Sequence, residues 1–317
     1  MEDKGFWSEK NVLITGGTSF VGKNLANKLR GLGAKPFTFG SDKFDLATKE
    51  GAEKAFQTSK YDFIIHMAAL QNAADWPMYH TGIQFHVNSL IHVNSIEAWR
   101  KFQPQAKFIG VGSSCSYPGE IEVLKEEDYD KGKLHESVWA YGFTKKLMSV
   151  GIEAYKKQYG LKGTTAIFGT LYGPYDDFDL KTAHVVGALI SKFCDAKKQG
   201  ISEVEVWGDG NQTRELIYVE DQLDGLLMIA QNYDGKMLNL GTGIQTTITD
   251  LAEKIKEISR YPGKIVYNTN KFVGVIHKVL NISKAKREIG WTEENKMHSL
   301  EQGLKKTIDW YEESFQK

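Results

Sequence analysis

Short apolar runs alternate with longer amphipathic stretches through the first 174 residues of the chain. The apolar runs with the length of buried strands are NVLIT at 11–15, KPFTFG at 35–40, YDFIIHMAA at 61–69, KFIGVGSSCSYP at 107–118 and GTTAIFGTLYGP at 163–174. Between them, stretches such as KNLANKLRGLG and WAYGFTKKLMSVGIEAYKKQYG place apolar residues at helical spacing. Strands that alternate with helices predict right-handed β–α–β units. We therefore expect an α/β fold with a doubly wound parallel sheet and helices on both faces.

The alternation becomes less regular after residue 174. A predicted helix ending in VVGALISKFCDAKKQG is followed by the strand patterns EVEVW and RELIYV, a further helix and the short strand MLNL. This part of the chain predicts a second, smaller α/β unit that is interleaved with the last strands of the sheet.

Charge and cysteine content narrow the range of partners. Lysine plus arginine and aspartate plus glutamate both number 40, so the formal net charge is zero and we expect neither nucleic acid nor an anionic membrane as a partner. The two cysteines, Cys115 and Cys194, cannot form a disulfide framework and favour a reducing, cytoplasmic setting. No apolar run approaches the roughly 18 residues of a membrane span, and no signal-peptide pattern is visible.

A glycine-rich turn joins the first predicted strand to the first predicted helix. In ITGGTSFVGKNL, Gly16 and Gly22 are six positions apart and Ser19 stands at the middle small position. Small residues let the backbone approach a pyrophosphate, and the helix N-terminus offers N–H groups and a positive dipole. A purely structural turn is the alternative, but the strand–turn–helix context favours a Rossmann-type dinucleotide site. Its candidate cofactor-binding residues are Gly16, Thr18, Ser19, Phe20, Val21 and Gly22.

The residues after the second strand bear on the choice between NAD and NADP. In FTFGSDKFDL, Asp42 could bond a ribose 2′-hydroxyl, whereas Ser41 and Lys43 could meet a 2′-phosphate. Asp45 is a candidate contact to the adenine. The stretch contains no arginine, so it leans towards NAD without deciding the question.

Tyr141 and Lys145 lie four positions apart in YGFTK, on one face of a predicted helix. A tyrosine with a pKa of about 10 is a poor acid–base group, and a nearby ammonium is expected to lower that pKa. The strand ending in GSSCSYP places Ser113 at the edge of the sheet where the cofactor would lie. Together with the glycine-rich turn, these residues indicate an oxidoreductase site.

These motifs resemble those of the extended short-chain dehydrogenase/reductases, the NAD-dependent epimerase/dehydratase family, over nearly the whole chain. The motifs are TGGTSFVG, HMAA, VNSL, GSSCSYP, YGFTK, LYGP, RELIYVED and NLGTG. Within that family the chain is most similar to the GDP-L-fucose synthases, which are 3,5-epimerase/4-reductases of a GDP-linked 4-keto-6-deoxymannose. The resemblance implies an NAD(P)-dependent enzyme that carries out redox chemistry at C4 of a GDP-sugar and epimerises the neighbouring carbons.

The resemblance also implies individual catalytic roles. Ser113 takes the place of the hydroxyl that bonds the C4 oxygen, Tyr141 exchanges a proton with that oxygen, and Lys145 tunes Tyr141 and holds the nicotinamide ribose. Cys115 and His184 match the pair that moves protons at C3 and C5. A small buried filler is the alternative for Cys115, and a packed helix residue is the alternative for His184.

Further contacts follow from the same resemblance. The implied substrate-binding residues are Ser114, Cys115, Lys192, Trp207, Arg214, Lys271 and Lys278, and no metal is expected. The additional implied cofactor contacts are Ala68, Ala69, Asn88, Tyr141, Lys145, Phe168 and His184.

The chain departs from the fucose synthase pattern at three places. Thr18 and the sequence FGSD stand where the relatives carry arginines for the NADP phosphate, so the family favours NADP while these residues lean towards NAD. Phe168, Gly169 and Thr170 replace Pro-Thr-Asn before LYGP. In KFVGVIHK at 271–278 the lysines remain, but the usual proline, aspartate and arginine are lost. These departures leave the sugar open.

Two other functions stay open at this point. One is a GDP-sugar C4 dehydrogenase or 4-epimerase with tightly bound NAD, in which Cys115 is only a wall residue. The other is a non-catalytic dinucleotide-binding protein of the same fold, against which the set of Ser113, Tyr141 and Lys145 argues. The resemblance further implies a homodimer that pairs through two long helices of each protomer.

The predicted domain division follows from the two kinds of pattern. We expect residues 1–173 plus about 207–240 to form the dinucleotide-binding Rossmann domain. We expect about 174–206 plus 241–317 to form a nucleotide-sugar-binding domain.

Overall fold

The computed structural model describes residues 4–71, 76–271, 278–292 and 297–315 of the chain. The strands are β1 Asn11–Thr15, β2 Lys35–Thr38, β3 Phe63–His66, β4 Lys107–Ser113, β5 Val123–Leu124, β6 Gly163–Phe168, β7 Thr170–Tyr172, β8 Glu203–Trp207, β9 Thr213–Tyr218, β10 Met237–Leu240, β11 Gln245–Thr247, β12 Lys264–Asn268 and β13 Val279–Leu280. The helices are α1 Lys4–Trp7, α2 Phe20–Gly31, α3 Lys49–Phe56, α4 Trp76–Tyr79, α5 Thr81–Phe102, α6 Trp139–Tyr159, α7 Val185–Gln199, α8 Val219–Asn232, α9 Ile248–Ser259, α10 Ser283–Ile289 and α11 Leu300–Phe315. Residues 272–277 of the predicted KFVGVIHK segment lie outside the described residues.

The predicted parallel sheet is confirmed. Six strands pair in the order β10-β6-β4-β3-β1-β2, and every one of these pairs is parallel. Strands β1, β3, β4 and β6 are buried almost throughout because helices cover both faces of the sheet. The carboxyl ends of β1, β3, β4 and β6 therefore meet at one edge of the sheet, where ligands of open α/β folds bind.

Two hydrophobic cores lie on opposite faces of the main sheet. Alternate residues of β1 divide between them, since Val12 and Ile14 pack into one core and Leu13 into the other. The first core includes Leu25 of α2 and continues into the C-terminal elements. The second core contains Trp99 of α5 and other residues of α3 and α6. The sheet is thus doubly wound, as the alternation predicts.

Among the described residues, three small sheets lie outside the main sheet, and one of them pairs β13 with β5 in parallel. Strand β9 pairs with β7 in parallel and with β11 antiparallel, and β8 pairs with β12 in parallel. Strand β10 belongs to the main sheet and helix α8 contacts it, whereas β9 belongs to a small sheet. The predicted segment 207–240 therefore contributes to the main sheet and to a small sheet. The division into two domains stays a prediction. Within the described ranges, no helix is long and apolar enough to cross a membrane.

Candidate active site

The glycine-rich turn leads directly from β1 into α2. Ser19 caps the helix: its hydroxyl donates to the Gly16 carbonyl at 2.7 Å and accepts from the Gly22 amide at 3.2 Å. Ser19 stands at a position where the dinucleotide-binding motif commonly has glycine, and its hydroxyl forms the cap.

Two of the glycines in this turn are required by space. Gly16 has φ +72°, and a Cβ there would lie 3.0 Å from the Ala68 amide nitrogen. A Cβ on Gly22 would lie 2.5 Å from the Gly17 Cα, so only glycine lets the helix start this close to the turn. The backbone that these glycines bring together forms a cradle at a helix N-terminus, which fits the diphosphate of a dinucleotide.

The residues after β2 lie on an exposed surface beside this cradle. The Lys43 ammonium lies 5.6 Å and 5.5 Å from the ring centroids of Phe37 and Phe44. A Cβ on Gly40 would contact the Asp42 carboxylate. Asp45 accepts a hydrogen bond from the Ala47 amide at 2.9 Å, so part of its carboxylate already shapes the turn before α3.

A cleft of about 1020 Å³ lies at the carboxyl edge of the main sheet and continues between the C-terminal elements. The candidate residues that line it are Ser19, Phe20, Val21, Ala69, Ser113, Ser114, Cys115, Tyr141, Lys145, Phe168, His184, Lys192, Trp207, Arg214, Lys271 and Lys278. The candidates outside its lining are Gly16, Thr18, Gly22, Ser41, Asp42, Lys43, Asp45, Ala68 and Asn88. Most of the outside group forms the turn and the surface after β2, next to one end of the cleft.

Asn88 lies outside the lining of the cleft, and its contact to the cofactor stays a prediction. It is fully buried, its side-chain oxygen accepts from the Leu70 amide at 2.6 Å, and its side-chain amide donates to the Leu70 carbonyl at 3.0 Å. Both ends of the carboxamide thus bond the backbone of the same loop residue. Asn88 holds the loop after β3, whose residues Ala69 and Gln71 line the cleft.

The tip of β4 places the serine and the cysteine beside the tyrosine. Ser113 ends the strand, and its hydroxyl accepts from the Cys115 amide at 3.1 Å, capping the 3₁₀ turn Ser114–Ser116. A Cβ on Gly142 would collide with the Cys115 carbonyl oxygen, so α6 packs directly against this turn. Tyr141, the neighbour of Gly142, is thereby held at the wall of the cleft.

Burial dominates the protonation of Tyr141 and Lys145. The Lys145 ammonium donates to the Val111 carbonyl at 2.9 Å and lies 5.8 Å from the centroid of the Tyr141 ring. Burial raises the pKa of Tyr141, and the charges of Cys115 and Tyr129 raise it further. Burial also lowers the pKa of Lys145 to about 7. The lowering of the Tyr141 pKa expected from the spacing alone is therefore wrong for the protein without its ligands.

Cys115 faces two cations from other parts of the chain. Burial lowers the pKa of Arg214 and of Lys278, and the charge of a Cys115 thiolate would raise both. The Lys278 ammonium is buried and has no hydrogen-bond partner among the described residues. Buried cations of this kind call for an anionic ligand.

His184 stands at the N-terminus of α7 and is accessible to solvent inside the cleft. Desolvation by the cleft walls lowers the pKa of His184, while the charge of the Asp177 carboxylate raises it. A histidine that is neutral near pH 7 can accept a proton, and the imidazolium that forms can then deliver it.

Two buried side chains that were not predicted from the sequence, Glu215 and His66, hold the elements around the site together. Glu215 accepts from the Gly243 amide at 2.8 Å and from the Leu280 amide at 2.7 Å, next to Arg214. His66 bonds Thr15 at 2.8 Å and His92 at 2.9 Å, which ties β1, β3 and α5 together. The signals were present in RELIYVED and HMAA, but their partners are 26 to 65 residues away in the chain.

Known proteins similar to this chain are nucleotide-sugar enzymes by name. The chain is 29% identical over 317 residues to the probable GDP-L-fucose synthase 1 of Oryza sativa subsp. japonica, covering 99% of this chain and 94% of the relative. It is 32% identical over 311 residues to the GDP-L-colitose synthase of Yersinia pseudotuberculosis, covering 95% and 97%.

A solved structure of a GDP-sugar enzyme is also similar to this chain. The GDP-L-fucose synthetase of Naegleria fowleri superposes with a TM-score of 0.89 at 25% identity, covering 97% of this chain and 95% of that one. The family model described as NAD dependent epimerase/dehydratase family matches residues 12–241. That match spans well over half of the chain and includes the glycine-rich turn, Ser113, Tyr141 and Lys145, so the chain belongs to the NAD-dependent epimerase/dehydratase family.

Proposed function

We propose that this protein is an NAD(P)-dependent GDP-sugar oxidoreductase that works like a GDP-L-fucose synthase, as a 3,5-epimerase and 4-reductase of a GDP-linked 4-keto sugar. The observation that carries the proposal is the convergence of Tyr141, Cys115 and His184 on one cleft that begins at a dinucleotide-binding turn. The names of the relatives support GDP as the nucleotide.

Each side chain has a distinct task in this mechanism. When bound, the nicotinamide supplies the hydride to C4. Tyr141, whose pKa is raised by burial, stays protonated and donates its proton to the C4 oxygen, while Ser113 orients that oxygen. Cys115 removes a proton from the carbon beside the ketone, and His184 returns a proton to it. Arg214 and Lys278 neutralise the diphosphate.

One assay tests both halves of the proposal. GDP-4-keto-6-deoxymannose is supplied in D₂O with reduced cofactor, and cofactor oxidation is followed together with deuterium at C3 and C5 by NMR or mass spectrometry. We expect wild-type protein to do both. Tyr141→Phe should lose about 10²–10⁴-fold in turnover and still bind cofactor, because only the proton donor is removed.

The matched variants separate epimerisation from reduction. Cys115→Ser should abolish deuterium incorporation while hydride transfer survives, and His184→Asn should slow incorporation. Reduction without any deuterium in wild type would leave a plain C4 oxidoreductase. Absence of reduction with every 4-keto GDP-sugar tried would overturn the proposal.

The cofactor preference is also part of the proposal. We infer that the protein does not strongly prefer NADP to NAD. Asp42, which could bond the ribose 2′-hydroxyl of NAD, lies beside Gly40. The Lys43 ammonium, which could meet the 2′-phosphate of NADP, lies over two phenylalanine rings instead.

We also propose that the protein forms a homodimer through α5 and α6. Helices α5 and α6 present Val93, Phe143 and Val150 to solvent, with exposed fractions of 50%, 46% and 56%. These side chains border a groove of about 490 Å³ between the two helices. A second copy that packs its own α5 and α6 here would form a four-helix interface and cover these side chains.

A further inference from the structure

The segment that leads into α6 carries a histidine and a serine that the mechanism above does not use. The Gly119 amide donates to the Lys133 carbonyl at 2.9 Å. A Cβ on Gly119 would lie 2.9 Å from the His135 Cα, so the two backbones are in direct contact. Because Gly119 follows shortly after Cys115 in the chain, this contact fixes His135 relative to the tip of β4.

Both hydrogen-bond donors of Ser137 are directed to His135. The Ser137 backbone N–H donates to the His135 Nδ1 at 3.3 Å, and the Ser137 Oγ lies 2.7 Å from the same nitrogen. Since a backbone N–H can only donate, Nδ1 is an acceptor and the proton of the neutral ring is on Nε2. The Ser137 hydroxyl therefore donates to Nδ1 as well, and its oxygen has only lone pairs left for a further partner.

The charges around His135 favour this neutral ring. Desolvation lowers the pKa of His135, and the charge of Lys278 lowers it further, while the charge of Glu136 raises it. The neutral form is the one that can accept at Nδ1.

Ser137 belongs to the wall of the cleft, at its reacting end. It is 6% exposed and lines the cleft together with Cys115 and Tyr141, whereas His135 lies outside the lining. Within the described ranges, no N–H or O–H group of the protein donates to the Ser137 oxygen. A nearly buried acceptor in a cleft wall calls for a donor on the ligand.

We propose that Ser137 determines substrate specificity by accepting a hydrogen bond from a ring hydroxyl of the 4-keto sugar, and that His135 is the positioning residue that makes the Ser137 hydroxyl an acceptor. The sugar is the ligand expected here, because Cys115 and Tyr141 act on the carbons at and beside C4. This inference rests on the proposed nucleotide-sugar function. A deoxy sugar would leave the Ser137 oxygen unpaired, and a site built to bond a hydroxyl discriminates against such an analogue.

Steady-state kinetics with GDP-4-keto-6-deoxymannose and its 2-deoxy and 3-deoxy analogues test the proposal. Ser137→Ala should raise KM for the parent sugar about two- to tenfold, the value of one neutral hydrogen bond, with kcat little changed. One of the two analogues should be insensitive to Ser137→Ala, because it lacks the hydroxyl that Ser137 accepts from. That analogue identifies the ring position.

Two variants of His135 test its positioning role. His135→Leu leaves the Ser137 hydroxyl free to rotate, so it should raise KM for the parent sugar and spare the same analogue. His135→Asn should restore KM to near the wild-type value, because a side-chain oxygen can accept in place of Nδ1. Glu136 is exposed, lies between the two residues and is outside the cleft lining, so Glu136→Gln is the matched control and should leave all three KM values unchanged. NAD binding should be unchanged in every variant.

The possible failures are distinguishable. If wild-type protein reduces no 4-keto GDP-sugar, the proposed function fails and this inference falls with it. If wild type turns over the parent sugar but Ser137→Ala leaves its KM unchanged, affects both analogues equally or weakens NAD binding instead, Ser137 does not accept from a sugar hydroxyl. If His135→Asn is as impaired as His135→Leu, His135 does not position that hydroxyl.

Discussion

Tyr141 and Lys145 owe their protonation to burial more than to each other. Their four-residue spacing suggests a phenolate stabilised by an ammonium, but burial raises the pKa of the phenol and lowers that of the amine to about 7. In a reductase this arrangement is useful, because a protonated tyrosine is the proton donor that a C4 alkoxide needs. A bound cofactor that bonds Lys145 would add a further influence on both groups.

Single side chains after β2 bear on the choice between NAD and NADP, so the preference for one cofactor can be predicted. We expect NADP to be favoured over NAD by less than roughly tenfold, or about 1.4 kcal/mol, because no arginine is available to fork a 2′-phosphate. Titration of the apo protein with both cofactors measures this ratio. Lys43→Met is the control variant. A strong NADP preference that this variant removes would show that Lys43 leaves its two rings to bind the phosphate.

Strand β9 organises the substrate side of the cleft through one buried carboxylate. Glu215 bonds the amide of Gly243 after β10 and the amide of Leu280 in β13. It thereby fixes the segment that carries Lys278 next to Arg214. Burial raises the pKa of Glu215 to about 7, against the effect of its backbone hydrogen bonds.

The raised pKa of Glu215 predicts a pH-dependent stability. The folded protein binds the Glu215 proton more tightly than the unfolded chain, so this contribution is full below about pH 4.5 and is lost as pH rises through about 7. Relative to Glu215→Gln, which does not titrate, wild type should lose up to about 3 kcal/mol of unfolding free energy between pH 5 and pH 8. Urea denaturation at both pH values measures the difference.

The exposed Glu203→Gln is the control for this experiment and should leave the pH dependence unchanged. A wild-type advantage over Glu215→Gln that grows with pH would contradict the prediction. In that case the backbone donors outweigh burial and keep Glu215 ionised in the folded state.

At the scale of the whole molecule, helices α5 and α6 share a face that exposes apolar side chains to solvent. Phe85 of α5 and Phe143 of α6 are both partly exposed, and their ring centroids lie 6.1 Å apart. Val93 and Val150 extend the same face beside the groove. Long helices that expose this much apolar surface are stable in water when a second protomer covers them.

The proposed dimer gives a prediction for solution size. Wild type should behave as a dimer in sedimentation equilibrium, and Val150→Glu should shift it towards monomer because a charge would be buried in the interface. Ile201→Glu is the matched control: Ile201 is 47% exposed after α7, away from this face, and the variant should remain dimeric. A wild type that is monomeric at tens of micromolar would contradict the interface.

Local patterns in the sequence are enough to predict the elements and the residues whose roles depend on short spacings. Apolar runs of strand length, helical periodicity and the turn from Gly16 to Gly22 are read within a few residues, and they predicted the doubly wound sheet and the dinucleotide cradle. Tyr141, Lys145 and Ser113 were found in the same way, because each lies at a fixed distance from the end of an element.

The protonation of those groups, and the side chains that support them, depend on contacts between distant parts of the chain. Burial sets the pKa values of Tyr141 and Lys145, and burial depends on helices and strands that are distant in the chain. The position of Asn88 on a helix likewise does not reveal that both ends of its carboxamide meet the backbone of one loop residue. Glu215 was missed for the same reason: a carboxylate in a strand is expected to be an exposed charge until the folded chain brings its hydrogen-bond donors to it.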